Sequence, residues 1–113
     1  MCRTPDTYFK IVSDILGAAK AEIHKSPSGD TFTLRIPRNA PEEPASDWYE
    51  RTQKIARNLE EAIRKAGGED PKAKMNYGVR SAGWINVPNR PECYICTALE
   101  EIYALQERCA VRR

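Results

Sequence analysis

The apolar residues of this chain change their spacing repeatedly, and that switching restricts the fold more than any other feature. Over residues 4–18 they recur at helical spacing: Tyr8, Ile11, Val12, Ile15 and Ala19, with Phe9 and Leu16 widening the stripe. Thr4 is placed to cap this helix, Pro5 to open it and Gly17 to end it, unless the good helix formers Ala18 to Ala21 carry it on. The spacing then drops to two. Phe32, Leu34 and Ile36 alternate with Thr31, Thr33 and Arg35, which predicts a strand buried on one face. Ser26-Pro27-Ser28-Gly29-Asp30 is turn chemistry, so residues 21–37 read as a hairpin with Ile23 as the buried member of the incoming strand.

After a proline-marked connector over residues 38–45, the helical period returns. Ser46 or Asp47 is the predicted cap, Asp47 and Glu50 fit a capping box, and the helix runs to about Ala66 before Gly67-Gly68. Trp48, Thr52, Ile55, Leu59, Ala62 or Ile63, and Ala66 form its inward seam. Glu50–Lys54, Arg57–Glu61, Glu60–Arg64 and Glu61–Lys65 are paired charges on the other side. A second hairpin follows. Met75, Tyr77 and Val79 alternate with Asn76, Gly78 and Arg80, Ser81-Ala82-Gly83 turns, and Trp84-Ile85-Asn86-Val87 returns. A last helix, from about Glu92 to Cys109, carries Ile95, Leu99, Ile102, Leu105 or Gln106, and Cys109 on one stripe.

The order is therefore α-ββ-α-ββ-α, and 113 residues suit one domain spanning 1–113. The layout that covers three amphipathic stripes is an α+β domain with the helices on one face of a four-stranded, mostly antiparallel sheet. The two hairpin–helix segments echo one another faintly, as a duplicated unit would.

Charge is nearly balanced and evenly spread. Residues 1–68 carry eleven basic and ten acidic side chains, and residues 69–113 seven and six. Duplex binders that work by counterion release show a basic excess, which neither part has. The start of the chain has no apolar signal segment and no stretch is apolar enough for a membrane span, so the expected compartment is a reducing cytoplasm with free thiols.

Few residues offer chemistry. His24 is the single histidine, which argues against the common acid–base and nucleophile–base enzymes. The carboxylate pairs Glu42-Glu43, Glu60-Glu61, Glu69-Asp70 and Glu100-Glu101 show no sign of converging on a metal or a glycosidic bond, and no glycine pattern cradles phosphate. Cys93-Tyr94-Ile95-Cys96 opens the last helix, where a redox pair or two of four zinc ligands would stand, with Cys109 and His24 or Cys2 completing the set. Too little chain follows for a thioredoxin-like domain, and there is no second pair. Cys96 and Cys109 read more simply as small core residues.

The outward sheet face is the candidate site. It would present Thr31, Thr33, Arg35, Asn76, Gly78, Arg80, Trp84 and Asn86, together with Glu22 and His24. Among these, Arg35, Asn76, Arg80, Trp84 and Asn86 are the predicted partner-binding residues, because Trp, Arg and Asn anchor macromolecular interfaces. The expectation is a protein without catalytic activity, cofactor or metal that occludes or escorts a protein partner. A nucleic-acid module using the same face is the alternative, and a small zinc or thiol-redox protein a further one. The strand edges and the last helix are candidate homodimer surfaces. The element order resembles that of small type III secretion chaperones. The size is similar to that of phage-encoded inhibitors of host defence such as anti-CRISPR proteins. Neither resemblance rests on a motif, so no residue role is carried over.

Overall fold

In the computed structural model, which describes residues 5–67, 77–91 and 93–111, the period switches become element boundaries. The elements are α1 (Pro5–Ala19), β1 (Glu22–Lys25), β2 (Thr31–Arg35), α2 (Ala45–Gly67), β3 (Gly78–Ser81), β4 (Trp84–Pro88) and α3 (Tyr94–Val111). The four strands make one antiparallel sheet in the order β1-β2-β4-β3, so the two hairpins meet through β2 and β4. Register then sorts the side chains. Ile23, Leu34, Ile85 and Val79 form one row across the inner face, and Lys25, Phe32 and Val87 the next.

All three helices lie against this inner face. Tyr8, Val12 and Leu16 of α1, Thr52, Ala56, Leu59 and Ile63 of α2, and Ile95, Cys96, Ala98 and Leu99 of α3 are buried with it. The stripes are thus the predicted ones with shifted centres: Leu16 and Ala56 are central, and Ile63 rather than Ala62 faces in. Leu105, predicted with Gln106 as an alternative for the α3 stripe, is 42% exposed. Tyr8 and Tyr94 stack with centroids 4.3 Å apart, joining α1 to the start of α3. Of the four predicted charge pairs on α2, Glu61–Lys65 is the one that closes among the described residues, at 3.5 Å.

Three boundaries differ from the sequence reading. Gly17 does not end α1. The helix runs on to Ala19, and Lys20 takes the left-handed conformation at φ 57°. The Ala21 N–H then reaches the Leu16 carbonyl at 2.9 Å and the Lys20 N–H the Gly17 carbonyl at 3.1 Å, the paired bonds of a Schellman ending. Neither Ser46 nor Asp47 caps α2. The Trp48 N–H bonds the Pro44 carbonyl at 3.1 Å, so the helix starts two residues earlier, and Asp47 serves its first turn as a charge. Ser81 belongs to β3, which leaves Ala82-Gly83 as a two-residue turn with Gly83 at φ 85°. The predicted cap Thr4 and the strand residues Met75 and Asn76 lie outside the described residues.

Candidate functional site

The outer face of the sheet is built from the remaining half of each strand. Glu22, Arg35, Trp84 and Ser81 form one row, and His24, Thr33, Asn86 and Gly78 the next; Thr31 pairs with Pro88 beyond them. None of these residues is buried. Arg35 and Trp84 are direct register partners at the turn end of the two central strands, so β2 and β4 bring together two residues that stand 49 positions apart in sequence. Thr33 Oγ1 donates to Asn86 Oδ1 at 3.2 Å, fixing the Asn86 side chain on this surface. The His24 ring lies 6.5 Å from that of Trp84, tilted by 41°.

The electrostatics of the face are set by Glu22. Its carboxylate lies 3.6 Å from Arg35 Nη1 and 3.4 Å from His24 Nε2, so the charge of Arg35 is largely answered within the protein. Among the described residues Arg80 is the cation of this face without a carboxylate partner. It sits on a bulge: Val79 pairs with Ile85 and Ser81 with Trp84, so Arg80 and Ser81 together oppose one residue of β4. Alternation alone would have set Arg80 in the outward row; the extra residue gives that place to Ser81 and re-aims the arginine. Arg80, Ser81 and Trp84 line an open depression of about 420 Å³. Arg35, Arg80, Trp84 and Asn86 are therefore on or beside one surface, while Asn76 lies outside the described residues.

Two other places were not singled out from sequence. Lys25 points to the helix side, where its Nζ meets Glu100 at 2.7 Å and lies 5.9 Å and 5.8 Å from the Phe32 and Tyr103 ring centroids. A cleft of about 450 Å³ lies between the end of α1 and α2, with Ile15, Ala19 and Ile55 among its apolar lining and Lys20, Arg38 and Arg51 as its cations. Arg51 is committed there to both Glu43 oxygens, at 3.2 and 2.8 Å.

Cys93 and Cys96 occupy the entry to α3. Cys93 is the cap: its carbonyl accepts the Thr97 N–H at 3.3 Å, and its sulfur accepts the Cys96 N–H at 3.3 Å. The Cys96 thiol lies 3.1 Å from the Pro88 carbonyl oxygen, its acceptor. Its hydrogen bond to the Cys93 sulfur, followed by the N–H groups of Cys96 and Ile95 and the nearby Arg90, lowers the Cys93 pKa to about 7 against the opposing effect of burial. The same bond and burial push the Cys96 thiol up. One proton serves both sulfur and carbonyl. A thiolate at Cys93 is the stronger of its two acceptors. Among the described residues no three His, Cys, Asp or Glu side chains converge as metal ligands. Cys2 and the side chain of Cys109 lie outside the description.

No family model matches this chain, and comparison with curated proteins and with solved structures gives no match. Among the described residues no helix is long and apolar enough to cross a membrane.

Proposed function

We propose that this chain is a protein-binding module that holds its partner on the outer sheet face and acts by occluding or escorting it. The observation that carries the reading is the setting of Trp84. A tryptophan at the turn end of the central strand β4, partly exposed, stands between Arg35, His24 and the Arg80 depression, and no described element covers it. Interfaces draw most of their energy from a few such aromatic and arginine anchors. Strands pre-order them, so little conformational entropy remains to be lost on docking. The face offers contacts and not a nucleophile with its base, since His24 is held by Glu22 and lies open to water.

Glu22 also favours a protein partner over a nucleic acid. With Arg35 answered by it, the described residues of the face leave one arginine unpaired, whereas a polyanion site needs several cations along a track. The test is affinity capture from native lysate with the intact chain, beside a variant carrying Arg80→Ala and Trp84→Ala. The expected result is one protein retained by the first and lost by the second, with equal thermal melts. Equal retention by the double variant removes the face as the site. A gel shift with single-stranded oligonucleotides that collapses at raised salt replaces the protein partner with a nucleic acid.

A further inference from the structure

We propose that Cys93 and Cys96 form a thiol–disulfide exchange site at the start of α3, taking aliphatic disulfides as oxidant. The proposal is independent of the sheet-face reading and rests on how the turn from β4 into α3 arranges the two sulfurs. The residues are three apart, hence neighbours across the first helical turn. The Cys93 sulfur is already drawn over that turn by the Cys96 N–H at 3.3 Å. Both thiols are buried, Cys93 at 8% exposure less deeply than Cys96 at 2%, so Cys93 is the one nearer to an external disulfide. They differ in protonation too. Amide N–H groups at the head of an 18-residue helix stabilise the Cys93 thiolate, while Cys96 keeps its proton on Pro88 or on Cys93 itself. A thiolate nearer the surface, ahead of a more deeply sheltered thiol, is the division of labour that exchange requires.

The chemistry balances as follows. The Cys93 thiolate attacks one sulfur of the disulfide. A bond forms between them, the disulfide bond breaks, and the departing thiolate takes a proton from water. Cys96 then gives up its proton and attacks the Cys93 sulfur. The Cys93–Cys96 bond forms, the mixed bond breaks, and the second thiol leaves carrying that proton. The protein loses two electrons and the Cys96 proton, water supplies the proton that Cys93 gave up on ionising, and the external disulfide leaves as two thiols.

The test uses the whole chain in glutathione buffers running from fully reduced to fully oxidised, with free thiols trapped by alkylation and read by mass spectrometry after trypsin. Cleavage at Arg80 and Arg108 places Cys93 and Cys96 on one fragment that carries neither Cys2 nor Cys109. The expected result is that this fragment passes from two alkyl groups to none, and that Cys96→Ser accumulates a glutathione adduct on Cys93 about tenfold faster than Cys93→Ser does on Cys96. A fragment that keeps both alkyl groups at the most oxidising ratio overturns the proposal, as do equal adduct rates in the two variants. The wild-type titration decides the matter even if one variant does not fold.

Discussion

The Gly83 N–H donates to the Thr52 hydroxyl at 2.8 Å, and that hydroxyl donates in turn to the Trp48 carbonyl at 2.8 Å. The second hairpin is thereby pinned to the long helix by the one buried polar side chain among the described residues. The Gly83 carbonyl accepts the Ile36 N–H at 2.7 Å, while the Ile36 carbonyl accepts Trp48 Nε1–H at 2.8 Å. Turn, strand and helix close into a single network, which supports the β4 end of the sheet directly behind Trp84.

This network predicts two separable losses. Thr52→Val keeps the shape but strands the Gly83 amide, an expected cost of about 1–3 kcal/mol. Gly83→Ala is worse, because its Cβ would stand 2.7 Å from Trp48 Cε2 and 2.8 Å from the Ile36 oxygen at a backbone angle that L side chains rarely adopt. An expected loss of at least about 3 kcal/mol follows. Urea unfolding of both variants checks the order; a Gly83→Ala protein as stable as wild type would show that the turn is not packed on Trp48.

Lys20 makes the opposite prediction. A lysine in the left-handed region costs about 1 kcal/mol more than glycine there, offset in part by the greater freedom glycine has when unfolded. Lys20→Gly is therefore expected to raise stability by a few tenths to about 1 kcal/mol, seen as a higher melting temperature. Gly17→Ala, at a helical position with open space around the added methyl, is expected to stabilise as well.

Lys20 and Gly17 also show how far the sequence could be read. The periods alone gave the element order, the single sheet and the bare face, because burial of alternate or every third to fourth residue is what forms these elements. The ends were less legible. Gly17 looked like a stop, yet the run Ala18-Ala19 favours helix, and tertiary packing of Ala19 decided for continuation. Asp47 and Glu50 fitted a capping box, but Glu43 was drawn instead to Arg51 and to the Asn39 N–H, folding the connector against α2. The Arg80 bulge is invisible to alternation, since one extra residue changes no residue type. The partnership of Cys96 with Pro88 and Cys93 depended on where β4 hands over to α3, which composition does not encode.

That connector carries an acid-sensitive contact. Hydrogen bonds from Arg51 first, and then from the Asn39 N–H, hold the Glu43 carboxyl below its ordinary value. A lowered carboxyl pKa contributes stability that is complete above the unfolded value near 4.5 and disappears as pH falls through the folded one. Glu43→Gln is expected to lower stability at neutral pH and to flatten its decline below about pH 4.5 relative to wild type. Denaturant titrations at several acidic pH values measure the difference.

Cys93 gives a second window, on the alkaline side. Its folded pKa of about 7 lies below that of an unfolded thiol, so the stabilisation is absent at low pH, grows as pH rises through 7, and is complete near 9. Cys96, pushed up, works the other way, and only once unfolded thiols ionise. Stability is thus expected to rise between about pH 7 and 8.5, a rise that Cys93→Ser abolishes. Iodoacetamide labelling of Cys93 should reach half its maximal rate near pH 7; a midpoint at the ordinary thiol value would refute the stabilised thiolate.

The last prediction separates the two faces of the sheet. Trp84 and Phe32 are both large aromatics on neighbouring strands, but Phe32 is fully buried beneath the helices and Trp84 stands on the side that no described element covers. Phe32→Ala removes packed core and is expected to cost about 3–5 kcal/mol. Trp84→Ala removes a partly exposed ring beside His24, opposite Arg35 in register, and is expected to cost less than about 1.5 kcal/mol, and Arg80→Ala less than about 0.5 kcal/mol. Thermal melts of the three variants rank them. A Trp84→Ala loss as large as that of Phe32→Ala would mean that the tryptophan is needed for folding, and the outer face would no longer be a surface held open for a partner.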